Sequence, residues 1–266
     1  MRIFEPHVHM YARVTDDYER MALAGVEATV EPAFWLGQPR THAGTFFDYF
    51  SHLLEYEATR AANYGIRLYA AIAMNPREAN DPALSDAVIA GLEPFLDHPR
   101  CVAVGEVGFD RTSPEEERAL RKQVELALRK RLPILVHAPH QNKKQGIERT
   151  IRVLQEMKVD PSWAVIDHST EETTGLIRDA GFWAGHSVYP VTKLTPERAV
   201  NLVQRYGTER MMVHSAADWG PSDPLSVPRT VLEMRRRGFA RAQIEQLVWT
   251  NPGTFFGQSG KIPAAS

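Results

Sequence analysis

Side chains suited to metal chemistry recur at one place in this chain's rhythm, just beyond short apolar runs. His7 and His9 follow residues 2–5, Glu106 ends 101–106, His137 ends 134–137, His168 ends 163–168, and Asp218 lies just past 211–215. In an extended segment the i, i+2 pair His7 and His9 points both imidazoles to one side. Neutral imidazoles are good ligands for a borderline divalent ion. The pair alone is weak, because ten histidines in 266 residues will sometimes fall two apart, and a buried pair satisfying backbone groups reads the same way. Glu106 follows small and apolar residues, where a carboxylate is costly unless it is ion-paired or metal-bound. Gly105 and Gly108 beside it permit close backbone approach. One of His137 and His168 could be an ordinary core histidine; two at equivalent strand ends are harder to dismiss. Asp218 could bind a metal and accept a proton from its water, or close an Asx turn before Trp219-Gly220. Asp110 could support the site or cap a turn. Asp167 could orient an imidazole or face away, and His214 could lie inside the strand wall.

Convergence of these residues depends on the elements that carry them. Strands are expected to begin near Arg2, Val26, Ile66, Cys101, Ile134, Trp163, Phe182 and Met211, with the seventh the least patterned. Helical signatures lie between them. Ser113-Pro114-Glu115-Glu116 places a serine at the N-cap, proline at N1 and glutamate at N3, and Leu120, Val124, Ala127 and Leu128 continue one face. Thr195-Pro196 starts another helix that Gly207 stops. Phe46, Phe50, Leu53, Leu54 and Glu57 mark a helix ending near Gly65, and Ile244, Leu247 and Val248 a last short one. Alternating strands and helices at this length fit an α/β protein with a single (β/α)8 barrel, whose C-terminal strand ends share one mouth. An open doubly wound sheet is the alternative, without a Gly-x-Gly-x-x-Gly to support a dinucleotide site. The expected division is a barrel over 1–258 and a flexible tail over 259–266.

Composition narrows the function classes. Hydrophobic residues make up 43% and charged residues 24%, which is globular rather than disordered. The single cysteine, Cys101, excludes an intrachain disulfide framework. Net charge is −2, so the basic surplus of a typical nucleic-acid protein is absent. No run is long and apolar enough for a signal peptide or a membrane span, and a cytoplasmic location is expected.

The motifs taken in order resemble the TatD-related metal-dependent hydrolases of the amidohydrolase superfamily. They are PHVH at 6–9, GEVGFD at 105–110, PILVH at 133–137, VIDH at 165–168, Asp218 and NPGTFFG at 251–257. The resemblance spans nearly the whole chain. It implies a distorted TIM barrel with a one- or two-metal centre: His7, His9 and Asp218 on a first ion, His137 and His168 on a second, and Glu106 bridging. Some relatives are DNases. The chain departs from the nuclease pattern at Ala138-Pro139, where those enzymes carry an arginine soon after the strand-five histidine, and at Ala216-Ala217-Asp218.

The expected activity is hydrolysis of a small organic ester, lactone, amide or phosphoester by metal-activated water, with Asp218 as the base. The alternatives are a TatD-type DNase, which needs an anionic-backbone groove, and a non-catalytic barrel protein of a biosynthetic complex. Zinc or manganese is the expected ion, with magnesium, iron or nickel as further choices. The expected partner is a small molecule, with nucleic acid possible but not favoured and no membrane, and no feature sets the oligomeric state. Loops after strands two, five and seven offer Trp35, Arg40, His140, Lys143, His186 and Tyr189 as substrate contacts, with Lys193 close behind. A solvated basic loop and burial against neighbouring loops compete with that role.

Overall fold

A computed structural model describes residues 1–262. Its strands are β1 Ile3–Glu5, β2 Val26–Pro32, β3 Arg67–Ala71, β4 Cys101–Gly108, β5 Ile134–His137, β6 Ala164–Ile166, β7 Trp183–Ser187 and β8 Met211–His214. They form one sheet of eight strands in sequence order, every neighbouring pair parallel. The strand starts lie within one residue of those expected, including the weakly patterned seventh. β1 and β8 meet just beyond their ends: the Ala216 N–H donates to the His7 carbonyl and the His9 N–H to the Ala217 carbonyl, both at 2.9 Å. The sheet is thus a nearly closed (β/α)8 barrel, and the open-sheet alternative falls away.

The helices form where their caps are coded. In Pro114–Lys130 the Ser113 hydroxyl accepts from the Glu116 N–H, and Glu116 reaches back to the Ser113 backbone. Two orphan N–H groups are satisfied in this way. The Thr195 hydroxyl caps Pro196–Tyr206 by accepting from the Arg198 N–H, and Gly207 ends the helix at φ +78°. The segment from Ala43 continues through a turn in π geometry, 52–57, to Ala62. The last helical run continues past Val248 to Gly257, longer than its pattern suggested.

The outer faces of the strands bury Ile134, Val136, Ala164 and Ile166 against the helices. The alternate residues Leu135, Val165 and Met212 pack with Phe4, Phe255 and Phe256 in a separate cluster. Of the expected tail, Lys261 donates to the carbonyls of Leu96 and His98 and Ile262 packs on that cluster; residues 263–266 lie outside the described residues. Among the described residues no helix is long and apolar enough to cross a membrane.

Candidate metal centre

The two-residue period of a strand decides which side chains reach the barrel mouth. Counting on from inward Leu135, Val165 and Met212 leads to His137, Asp167 and His214. On β7 the same count runs Trp183, Gly185, Ser187. Asp167 and the adjacent His168 both reach the site, because His168 has a left-handed backbone at φ +60°. Bulky neighbours are excluded where Asp167 enters: a β-carbon at Gly185 would lie 1.7 Å from Asp167 Oδ1. At Gly108, with φ +128°, a β-carbon would lie 2.5 Å from the His137 carbonyl oxygen.

The resulting cluster is tight. His7 Nε2 lies 3.0 Å from His9 Nε2 and 3.6 Å from Glu106 Oε1. Glu106 Oε1 is also 3.1 Å from both His137 Nδ1 and His168 Nε2, which are 3.0 Å from each other. Behind this group, His7 Nδ1 donates to Asp167 Oδ2 at 2.7 Å, and His168 Nδ1 meets the Ser187 hydroxyl at 2.5 Å. His214 stacks on His7 with ring centroids 4.7 Å apart, and its Nε2 is 3.4 Å from Asp167 Oδ1. Two trios have ligand atoms within 4.8 Å of one another: His7, Glu106 and His168, and His7, Asp167 and His214. The second is already joined by the His7–Asp167 hydrogen bond, so it supports His7 from behind. The first presents the remaining His7 nitrogen.

The electrostatics suit cation binding. Burial, reinforced by the charge of His7, keeps the His9 pKa well below the usual imidazole value. Burial and Lys193 do the same for His168. Burial alone would raise Glu106, but His7 and His137 outweigh it and hold the carboxyl well below its ordinary pKa. Asp167 is likewise raised by burial and lowered further by His214 and His7. Lone-pair imidazoles around an ionised carboxylate are the protonation states that a divalent ion requires.

Asp218 faces the same cavity, of about 240 Å³, together with His9, Glu106, His137 and His168. Its Oδ1 accepts from the Tyr189 hydroxyl at 2.9 Å and from the Gly220 N–H at 2.8 Å, so the Asx turn considered from sequence also forms. It belongs to neither compact trio. Trp35, His140, Tyr189 and Asp110 line the cavity. Two expected contacts are corrected. Arg40 is buried over the Phe46 ring and bonded to Glu78 and to the Phe34 carbonyl, so it holds the loop after β2 instead of meeting an anion. His186 points outward from β7, bonded to Thr174 and the Met212 carbonyl, because the inward positions are 185 and 187. Lys143 begins the helix Lys143–Glu156; its Nζ is buried without a hydrogen-bond partner among the described residues.

Three contributors were not singled out from sequence. Ser187 was visible by strand alternation alone. Phe34 stacks on His9 at 4.0 Å between ring centroids and touches Trp219 at 5.3 Å, roofing that side of the site. Neither loop carries a local signal for that contact.

Residues 6–257 match the family model described as TatD related DNase. An uncharacterized metal-dependent hydrolase of Methanocaldococcus jannaschii is 30% identical over 259 residues, 96% of this chain and 99% of that protein. Among solved structures, the TatD-like protein of Archaeoglobus fulgidus superposes with a TM-score of 0.78 at 23% identity, covering 95% of this chain and 99% of that one. The Escherichia coli phosphotriesterase homology protein, solved with phosphate in its active site, gives 0.71 at 16% identity, covering 96% and 98%. These likenesses set aside the non-catalytic alternative: the chain belongs to the TatD-related family of metal-dependent hydrolases.

Proposed function

We propose that the chain hydrolyses a small organic ester, lactone, amide or phosphoester at a centre of one or two divalent ions, zinc or manganese first. His7, His9, Glu106, His137 and His168 would hold the ions, with Asp218 completing the first site. The observation that carries the substrate class is the cavity of about 240 Å³, roofed beside His9 by Phe34 and Trp219. That space suits a small molecule better than a polynucleotide groove. A bound divalent ion would supply Lewis acidity and make the attacking water easier to deprotonate.

The chain's own residues do the rest. Asp167 holds the proton on His7 Nδ1 and so turns the Nε2 lone pair toward the cavity. Tyr189 and the Gly220 N–H fix Asp218 Oδ1, and Oδ2 is left to take the proton of the attacking water. Phe34, Trp35 and Trp219 pack together on one side of the cavity. The family description favours one second reading, a DNase.

The test is Asp218→Asn against two substrate panels: aryl esters, lactones and phosphoesters, then single- and double-stranded DNA. The variant is expected to keep most of its metal and to lose at least about 100-fold in small-molecule turnover. Strong metal-dependent DNA cleavage by the wild type, lost in the variant, would favour the DNase. Equal activity in both proteins would remove Asp218 from the mechanism.

A further inference from the structure

The cavity lining carries a charge that the metal cluster does not use. Lys193, in the loop after β7, lines the cavity with Glu106, His137, His168 and Asp218. Its ammonium sits 5.0 Å from the Tyr189 ring centroid, and it makes no ion pair with a carboxylate among the described residues. The backbone that presents it is pinned. Its N–H donates to the Tyr189 carbonyl at 2.8 Å, and its carbonyl accepts from Arg198 at 2.6 Å. Arg198 is in turn held by both carboxylate oxygens of Glu171, at 2.7 and 2.8 Å. Lys143, the first residue of the helix after β5, stands behind the cavity lining and has a buried and unpartnered Nζ. Burial first, and then the charge of Lys193, push its pKa down to about 8.

Two partly desolvated ammonium groups that repel each other are costly unless an anion joins them. Glu106 Oε1 is engaged with three imidazoles and Asp218 Oδ1 with two hydrogen-bond donors, and neither carboxylate forms an ion pair with Lys193 or Lys143 among the described residues. Lys193 feels Glu106, Asp218 and Asp167 through space but pairs with none of them, and with Glu106 and Asp218 committed to bound cations its ammonium is open to an external anion. We propose that Lys193 and Lys143 form an anion-binding subsite at the rim of the metal cavity, selecting small substrates that carry a carboxylate or a phosphate beside the scissile bond. Lys193 makes the direct contact and Lys143 adds to the field behind it. The inference rests on the small-molecule hydrolase reading and supplies the chemistry of its substrate.

The experiment titrates inorganic phosphate and benzoate calorimetrically into the metal-loaded full chain, and again after chelation. It compares wild type, Lys193→Gln, Lys193→Arg and Lys143→Gln. Losing a charge-assisted hydrogen bond should weaken binding at least about 10-fold in Lys193→Gln, with metal content unchanged. Lys193→Arg should stay within about 3-fold, because its charge can serve the same anion. Lys143→Gln should fall between them. The Lys193 dependence should survive chelation, which separates it from anion binding by the metal. Tighter phosphate binding would assign a phosphate-bearing substrate and tighter benzoate binding a carboxylate. A matched pair of aryl esters, one neutral and one carboxylated, adds a kinetic readout: Lys193→Gln should raise KM about 10-fold for the charged ester only. Anion affinities equal in wild type and Lys193→Gln, equal losses in the Gln and Arg variants, or no anion binding by wild type would each overturn the subsite. Lys193-dependent anion binding without ester hydrolysis would uphold the subsite and reject the hydrolase substrate class. Hydrolysis indifferent to Lys193 would do the reverse.

Discussion

Replacing Asp167 by Asn tests whether the layer behind the metal cluster sets its affinity. The change keeps the shape and removes one charge. Asp167 Oδ2 accepts from His7 Nδ1 at 2.7 Å while Oδ1 lies 3.4 Å from His214 Nε2, so the carboxylate presents an acceptor to two imidazoles at once. An asparagine has only one oxygen for the two rings. With its oxygen toward His7 it keeps a weaker, neutral hydrogen bond. With its amide toward His7 it imposes the tautomer protonated at Nε2, which removes the lone pair from the cavity. A hydrogen bond to a charged group contributes about 1.5–3 kcal/mol and a neutral one about 0.5–1.5 kcal/mol. The difference, on the order of 1–2 kcal/mol, is about a 5- to 30-fold loss in affinity. It overlaps the roughly 10- to 100-fold typical of removing a group that orients a metal-binding histidine. Competition with a chromophoric chelator for zinc and for manganese measures this directly. Asp110→Asn is the control, since Asp110 lines the cavity without bonding to an imidazole, and it should stay within about 3-fold on the same scale. Metal affinity in Asp167→Asn within that same margin of wild type would refute the argument that Asp167 fixes the His7 tautomer.

Three further outcomes follow from the same coordinates. Burial pulls His186 down to about 4 despite its bond to the Met212 carbonyl. The folded state therefore holds it neutral while the unfolded chain protonates it from about pH 6.5 downward. Its contribution is complete above pH 6.5 and lost as pH falls toward 4, at up to about 1.4 kcal/mol per pH unit; denaturant unfolding of wild type and His186→Gln across that window should show the shallower slope in the variant. Gly185→Ala places a carbon 1.7 Å from Asp167 Oδ1, and such overpacking should cost about 1–3 kcal/mol and lower metal content, read by thermal melts and metal analysis. Chelation should lower the Tm, by a stability loss of about 4 kcal/mol if the ion was present at a thousand times its Kd, yet leave the far-ultraviolet circular dichroism unchanged, because the barrel core is built without the ion.

What was legible in the sequence depended on whether a side chain's direction follows from its own strand. His137 could be placed because Ile134–His137 is a regular strand with Leu135 and His137 on one face. The same count, applied from Val165, would have turned Asp167 inward. It would also have turned His186 outward, since Ser187 takes the inner position and bonds to His168. His168 escapes that rule: its left-handed φ of +60° brings it in beside Asp167, and nothing in VIDH announces a positive φ. Arg40 failed for a different reason. Its fate is decided by Glu78, thirty-eight residues away, and by the ring of Phe46, and a loop sequence does not disclose partners across space. Lys193 and Lys143 show the converse. Both were visible as basic residues beyond strand ends, but their significance lies in the carboxylates that fail to meet them, which a sequence cannot show. Strand-borne ligands are thus readable from periodicity, whereas substrate contacts on loops become readable only when the surrounding partners have been accounted for. In a barrel of this kind that division follows the chemistry: a metal would sit on strand ends fixed by the sheet, and specificity would sit on loops whose side chains are free to pair with one another or with what they bind.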